Sequence, residues 1–252
     1  MRTEVRDPIV EITLARPPVN AFDRAMYREL RDVFAGIPDL VPTARVVILA
    51  ADGRHFCAGN DLNEFRTLNR DNAASRMREV REAFWAIYDC PIPVIGAVQG
   101  AALGTGLAIA ASCDFVVAAA NARFGLPELS VGVMGGARHL ARLVPQPVVR
   151  SMFYSSDPIE VERLVRLGAV IDVVPTAELL TFARARAARL ARHDLLLLRT
   201  AKRALNAIET MELKPGYEFE QGLTCELSGR PEAKLALQSA LAETRSLGGR
   251  KS

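Results

Sequence analysis

Residues 94–118 read VIGAVQGAALGTGLAIAASCDFVVA, and the fold follows from how this stretch divides. Val94 to Val98 is a short apolar run stopped by Gly100, with the length and composition of a buried strand. Gly100 to Gly106 forms a glycine-rich turn, and Leu107 to Ser112 continues as an apolar helix. Asp114 to Ala118 then returns as a second strand rich in β-branched residues. Strand, tight turn, helix and strand joined by short connections make an α/β unit with parallel pairing.

Working outward, the same grammar recurs upstream. Val10 to Leu14 alternates like a strand, Arg16-Pro17-Pro18 forces an extended turn, and Phe22 to Phe34 has the spacing of an amphipathic helix. Arg45 to Ala50 is another strand, and it runs through Asp52-Gly53 into the turn His55-Phe56-Cys57-Ala58-Gly59-Asn60-Asp61-Leu62. Residues 64–89 predict one helix with Met77, Val80, Phe84 and Ile87 on one stripe, ended by Pro91 and Pro93. Trp85 and, further on, Tyr154 read as core residues, and Asp61 as the cap of the next helix.

Downstream of Phe124-Gly125-Leu126-Pro127-Glu128 lie segments at 138–154 and 159–167, then a short strand Val170 to Val174 before Pro175. From Leu179 the pattern is helical, broken at Pro215-Gly216 and Gly229-Arg230-Pro231. The strand signals place an α/β core in residues 1–190 and a helical region in 191–252, with residues 248–252 expected to be disordered.

A chain of 252 residues, half of them apolar, can bury a substantial core. Its 32 basic and 29 acidic residues leave a net charge of +3, too small to indicate a nucleic-acid surface. Arg184, Arg186, Arg189 and Arg192 read as a solvated helix face. Residues 1–10 contain no long apolar run, and the apolar stretch 91–120 is interrupted by Gly100, Gly104, Gly106 and Asp114. A soluble, cytoplasmic protein without a membrane partner is the expectation. Cys57, Cys90, Cys113 and Cys225 lie far apart and read as reduced packing residues, while His55, His139 and His193 form no metal or nucleophile pattern. No metal and no separate cofactor is expected.

Two glycine turns and one carboxylate carry the chemistry. Exposed backbone N–H groups at two such turns can jointly hold a developing oxyanion, and an acid opposite them can move protons on the same substrate. Gly104-Thr105-Gly106-Leu107-Ala108-Ile109 lacks the third glycine of a dinucleotide loop, and no acidic residue follows at the proper distance. Glu128 is the candidate acid and base. Its apolar neighbours Phe124, Leu126, Leu129 and Val131 would hinder ionisation and bring its proton affinity toward neutral pH.

The ordered set Ile12 to Pro17, Asn20-Ala21, Phe56 to Leu62, Gly100 to Asp114, Phe124 to Glu128 and Gly168 to Pro175 resembles the crotonase family, the enoyl-CoA hydratase and isomerase superfamily. The resemblance covers nearly the whole chain. It implies a spiral of ββα units with a C-terminal helical trimerisation region, self-association as a trimer or dimer of trimers, and acyl-CoA thioester substrates. Carried over by position, it implies oxyanion-hole amides at Ala58 and Thr105 and a catalytic carboxyl at Glu128. It also implies coenzyme A contacts, as part of the substrate, at Arg16, Asn20, Ala21, Phe22, Arg54, Phe56, Cys57, Gly59, Asp61, Leu62 and Gly104.

Two departures from the two-glutamate hydratases of this family bear on the reaction. The second glutamate is replaced by Ala108, and the connection from Glu128 to Gly135-Gly136-Ala137-Arg138 is shorter and lacks a Pro-Gly piece. His139 on that loop is the candidate auxiliary group. The segment after Ala236-Leu237 lacks the Lys-Arg cluster that family members often carry toward the 3'-phosphate. The resemblance implies an acyl-CoA lyase of the enoyl-CoA hydratase type. Its alternatives are a Δ3-Δ2 enoyl-CoA isomerase using Glu128 as proton shuttle, and a protein of this family that binds acyl-CoA without turnover.

Overall fold

The computed structural model describes residues 1–248, with side-chain environments through residue 242. Strands β1 (Arg2–Arg6) and β2 (Ile9–Leu14) form a hairpin, followed by helix α1 (Arg24–Leu40). Strand β3 (Val46–Ala51) leads through the first glycine turn to α2 (Leu62–Phe65) and α3 (Arg70–Tyr88). Next come β4 (Val94–Val98), β5 (Ala101–Leu103) and α4 (Thr105–Ser112). Then β6 (Phe115–Ala119) and β7 (Arg123–Gly125) run into a short 3-10 turn, Glu128–Val131, and helices α5 (Ala137–Leu140) and α6 (Gln146–Ser155). After β8 (Ile159–Glu160), α7 (Val161–Arg166) and β9 (Asp172–Val174) the described chain is helical: α8 (Leu179–Leu190), α9 (Leu195–Ile208), α10 (Leu213–Ser228) and α11 (Pro231–Gly248).

These strands build two sheets. The larger runs β1-β2-β3-β4-β6-β9, parallel except for the first pair, and the smaller runs β5-β7-β8. Cys57 extends the smaller sheet by bridging Ala102 in parallel. The chain therefore lays a strand in the large sheet, a short one in the small sheet, then a helix, and does so three times in succession at β3, β4 and β6. This is the α/β spiral of ββα units that the sequence implied.

Val10, Ile12, Leu14, Val47, Leu49 and Val94 point from one face of the large sheet into a core closed by α1, α3 and the entirely buried α4. Val46, Ile48, Ile95, Ala97 and Val117 point the other way and are covered by Leu179, Ala183 and Ala187 of α8. Side chains alternate across a strand, so two apolar faces require two covers. Arg184 and Arg186 on α8 are only partly solvated: Arg184 forks onto the buried Glu11 at 2.7 and 2.8 Å, and Arg186 pairs with Asp172. Arg189 and Arg192 do face solvent.

Several local expectations change for identifiable reasons. The single helix over 64–89 is two, because Asn69 builds a reciprocal capping box with Asn72 and starts α3 afresh. Helix α1 begins at Arg24 rather than Phe22, since Asp23 caps it by accepting from Met26 N–H, and it continues past Phe34 to Leu40. Trp85 and Tyr154 are not core residues but 54% and 69% exposed, and Cys225 is exposed while the other three cysteines are buried. Apart from Gly248, where α11 ends, the segment expected to be disordered lies outside the described residues. Among the described residues no helix is long and apolar enough to cross a membrane.

Candidate active site

The site forms where the small sheet meets the two glycine turns. The first turn is held down by its own backbone: Phe56 N–H donates to Gln99 C=O, Cys57 N–H to Ala101 C=O, and Leu103 N–H returns to Cys57 C=O. Gly106 lets α4 start directly against this turn, since a Cβ there would stand 2.2 Å from the Cys57 carbonyl oxygen. Gly104, at φ +51° and ψ −110°, caps α4 in a conformation open to glycine and closed to L side chains.

Between them lies a cavity of about 630 Å³ lined by Arg16, Val19, Ala58, Asn60, Gly104 and Glu128, among others. A second cavity of about 230 Å³ continues inward past Phe84, Thr105, Ala108 and His139. Glu128, Asn60 and Gly104 border both lobes, so the acid sits at their junction. Its side chain is 8% exposed, and Oε2 is buried with no hydrogen-bond partner. Burial pushes the Glu128 pKa up to about 7, against a smaller downward pull from its own backbone N–H.

The backbone donors differ from the expectation in one place. Ala58 N–H is committed to Val19 C=O at 3.0 Å and is not available to a ligand. Three residues later Asp61 N–H is committed to Phe22 C=O, which leaves the N–H groups of Gly59 and Asn60 without an acceptor among the described residues. The intervening Gly59, at φ +113°, redirects the chain so that Asn60 N–H, not Ala58 N–H, is free beside the cavity. Thr105, the first residue of α4, likewise has an N–H with no acceptor among the described residues, and it borders the inner lobe. The positive end of the wholly buried α4 lies at this point.

Of the implied coenzyme A contacts, Arg16, Ala21, Gly59, Asp61, Leu62 and Gly104 line the outer lobe. Arg16 is anchored there by Asp61 at 2.7 Å and by the Ala21 carbonyl at 2.7 Å, and Asp61 also caps α2. The guanidinium of Arg16 holds the Asp61 carboxyl below its ordinary range. The side chains of the other positions are tied into the scaffold. Asn20, at φ +53°, accepts from Arg16 N–H and donates to the Asp52 and His55 carbonyls. Phe22, Phe56 and Cys57 are buried in the core, and Cys57's thiol is pushed up to about 12 by burial. Arg54 borders a different cavity of about 280 Å³ with His55 and Arg123.

His139 does enter the site, from α5, where its ring meets Phe84 edge-on with centroids 5.2 Å apart. Burial, with the charges of Arg142 and Arg138, lowers its pKa to about 4, so the imidazole is neutral at ordinary pH. Ala108 leaves the facing wall apolar. Sequence reasoning passed over Tyr27, whose hydroxyl donates to Asn60 Oδ1 at 2.6 Å and lies 2.5 Å from Thr105 Oγ1. Helical spacing marks Tyr27 as buried, but nothing in the local pattern indicates what its hydroxyl meets. Among the described residues no group of three or more His, Cys, Asp or Glu is placed to hold a metal ion.

Residues 4–247 match the family model described as enoyl-CoA hydratase/isomerase. The chain is 40% identical over 223 residues to (7aS)-7a-methyl-1,5-dioxo-2,3,5,6,7,7a-hexahydro-1H-indene-carboxyl-CoA hydrolase of Rhodococcus jostii, covering 88% of this chain and 86% of that protein. It is 35% identical over 221 residues to the 2,3-dehydroadipyl-CoA hydratase of Escherichia coli, covering 85% of each. A crystal structure of enoyl-CoA hydratase from Bacillus anthracis superposes with a TM-score of 0.90 at 27% identity, covering 96% of both chains.

Proposed function

The chain belongs to the enoyl-CoA hydratase/isomerase family, and on that premise we propose that it is an enoyl-CoA hydratase-like lyase, adding or removing water at a 2-enoyl-CoA thioester. The observation that carries this is Glu128 itself. It is an otherwise unpartnered carboxyl at the junction of two lobes, with a pKa of about 7 that populates both its forms at neutral pH.

In this reading the thioester oxygen accepts from Asn60 N–H on the first glycine turn and from Thr105 N–H at the start of the buried α4. Loss of one such donor typically costs about 10²–10³ in rate. Glu128 as carboxylate removes a proton from water, the hydroxyl adds to C3, and electrons move onto the thioester oxygen as an enolate. The proton now on Glu128 passes to C2, the enolate collapses, and the carboxylate is restored. One acid suffices because the proton it takes is the proton it returns. Neutral His139 in the inner lobe accepts a hydrogen bond from the water and orients it where Ala108 offers nothing. Coenzyme A occupies the outer lobe along Arg16, Ala21 and Leu62, and no separate cofactor enters.

A second reading is favoured by the inner lobe beside Ala108, which leaves room for a bulky acyl group. There water held by the same carboxyl attacks a ring carbonyl of a cyclic oxoacyl-CoA and opens the ring; the Rhodococcus relative is named as a hydrolase of a dioxo bicyclic acyl-CoA. The exposed Leu205, Met211, Leu213 and Tyr217 on and between α9 and α10 support self-association through residues 191–252, as a trimer or dimer of trimers. A cytoplasmic location accords with the buried free thiols of Cys57, Cys90 and Cys113.

A thioester panel tests the proposal. Loss of enoyl absorbance with crotonyl-CoA or a longer 2-enoyl-CoA, abolished in Glu128→Gln, is the expected result. Conversion of 3-enoyl-CoA instead indicates an isomerase, and conversion of a cyclic oxoacyl-CoA the ring-opening reading. Protection of the fold by acyl-CoA with turnover of none reduces the protein to a binder.

A further inference from the structure

The two amides that the oxyanion reading uses belong to residues 45 positions apart in the chain, and their side chains are tied together by a third residue. Tyr27 on α1 is 4% exposed, with its ring packed against Phe22 at 5.1 Å and Phe84 at 6.0 Å between centroids. Hydrogen accounting fixes the direction of the chain of bonds. Asn60 Oδ1 only accepts, so the one phenolic hydrogen goes to it at 2.6 Å, and Tyr27 Oη in turn accepts the Thr105 hydroxyl hydrogen at 2.5 Å. Packing between two phenylalanines asks only for a phenyl ring. A buried hydroxyl without partners would cost stability, and here both partners are side chains of the amide-bearing residues.

We propose that Tyr27 is a positioning residue whose hydroxyl clamps Asn60 and Thr105 together and so sets the spacing of the two backbone donors that polarise the thioester carbonyl. This rests on the oxyanion reading above. The clamp reaches the site from behind: α1 is anchored in the core, and Thr105 Oγ1 and Asn60 Oδ1 are consumed by Tyr27 rather than offered to substrate. Releasing it leaves each amide present and lets the two segments move independently.

The test uses full-length Tyr27→Phe, Thr105→Val and the double variant. Two readouts apply: kcat and KM on whichever thioester the panel identifies, and the absorption of bound 2,4-hexadienoyl-CoA, whose band moves to longer wavelength as its carbonyl is polarised. The clamp predicts that Tyr27→Phe lowers kcat by about tenfold to a hundredfold while KM moves little, and that the band shift shrinks. Thr105→Val reproduces both effects, and the double variant is no worse than either single one, because all three remove the same bond. The proposal is overturned if Tyr27→Phe keeps kcat and band shift within about twofold of wild type, or if the two substitutions add. A Tyr27→Phe chain that fails to fold leaves Thr105→Val to decide by the same readouts. Should wild type itself neither turn over a thioester nor shift the band, the oxyanion reading fails, a result distinct from failure of the clamp.

Discussion

Glu128 Oε1 lies so close to Gly104 that a Cβ built on the glycine would stand 3.0 Å from it. The residue that caps the second turn thus also forms the floor on which the carboxyl rests. A side chain at 104 meets two penalties, a backbone at φ +51° and ψ −110° that L residues avoid, and an occupied volume. Gly104→Ala is expected to lose about 1–3 kcal/mol of stability from the backbone alone. It also turns the carboxyl away from the lobe junction, so activity falls further than stability does. Urea unfolding set beside kcat/KM separates the two, and equal losses in both would remove Gly104 from any role in holding Glu128.

The pH dependence of Glu128 has a definite sign. Its pKa is raised from an ordinary 4.5 to about 7 in the folded protein, so the folded chain binds the proton more tightly than the unfolded one. Stability is then highest while the carboxyl is neutral in both states, declines as pH rises from about 4.5 to about 7, and is flat above. Glu128→Gln removes the titration. The variant should match wild type near pH 4.5 and exceed it at pH 8 by on the order of 2 kcal/mol. Thermal unfolding at the two pH values checks this; an equal difference at both would place the titration elsewhere.

His139 carries the opposite sign. Its pKa falls from 6.5 to about 4, so the unfolded chain takes the proton first as the solution is acidified. The stability tied to neutral His139 is complete above about pH 6.5 and is lost as pH drops toward 4. His139→Gln should flatten this acid limb by on the order of 1 kcal/mol, a figure reduced for the residue's partial exposure. The same variant tests the chemistry, because a water-orienting imidazole predicts a lower kcat at pH 7.5, where His139 itself does not titrate. An unaltered kcat there would confine His139 to packing against Phe84.

How much of this could be read in advance depends on what each feature is made of. The strand at Val94–Val98 and the helix after Gly106 were legible because burial leaves a continuous apolar run bounded by glycines, and Glu128 because an acid set in apolar sequence is conspicuous. Strands of three residues such as Ala101–Leu103 and Arg123–Gly125 carry no periodicity to detect. The misplacement of the first amide at Ala58 instead of Asn60 has a backbone cause. Which N–H faces a cavity is set by the φ of Gly59 and by partners such as Val19, distant in sequence, and side-chain identity does not encode it. Tyr27 shows the same limit, since periodicity places its ring in the core but cannot name the two hydroxyl partners 33 and 78 residues away.

A buried ion pair ties the helical tail to the site-bearing sheet. Lys202 of α9, 5% exposed, donates to both Asp114 oxygens at 2.7 Å, and Asp114 Oδ2 also accepts Val94 N–H at 2.7 Å. Asp114 therefore joins the start of β4, the end of α4 and α9 in one contact. Lys202→Met keeps the length of the side chain and leaves the Asp114 carboxylate without its cation, at a cost of about 3–5 kcal/mol. Adding Asp114→Asn removes that charge while Asn Oδ1 still accepts from Val94, so the double variant should recover much of the loss. Chemical denaturation of the four species gives the coupling. A Lys202→Met protein as stable as wild type, or a double variant no better than the single, would mean that α9 is held by its apolar face, with Leu198 as its buried anchor, and that the ion pair is incidental.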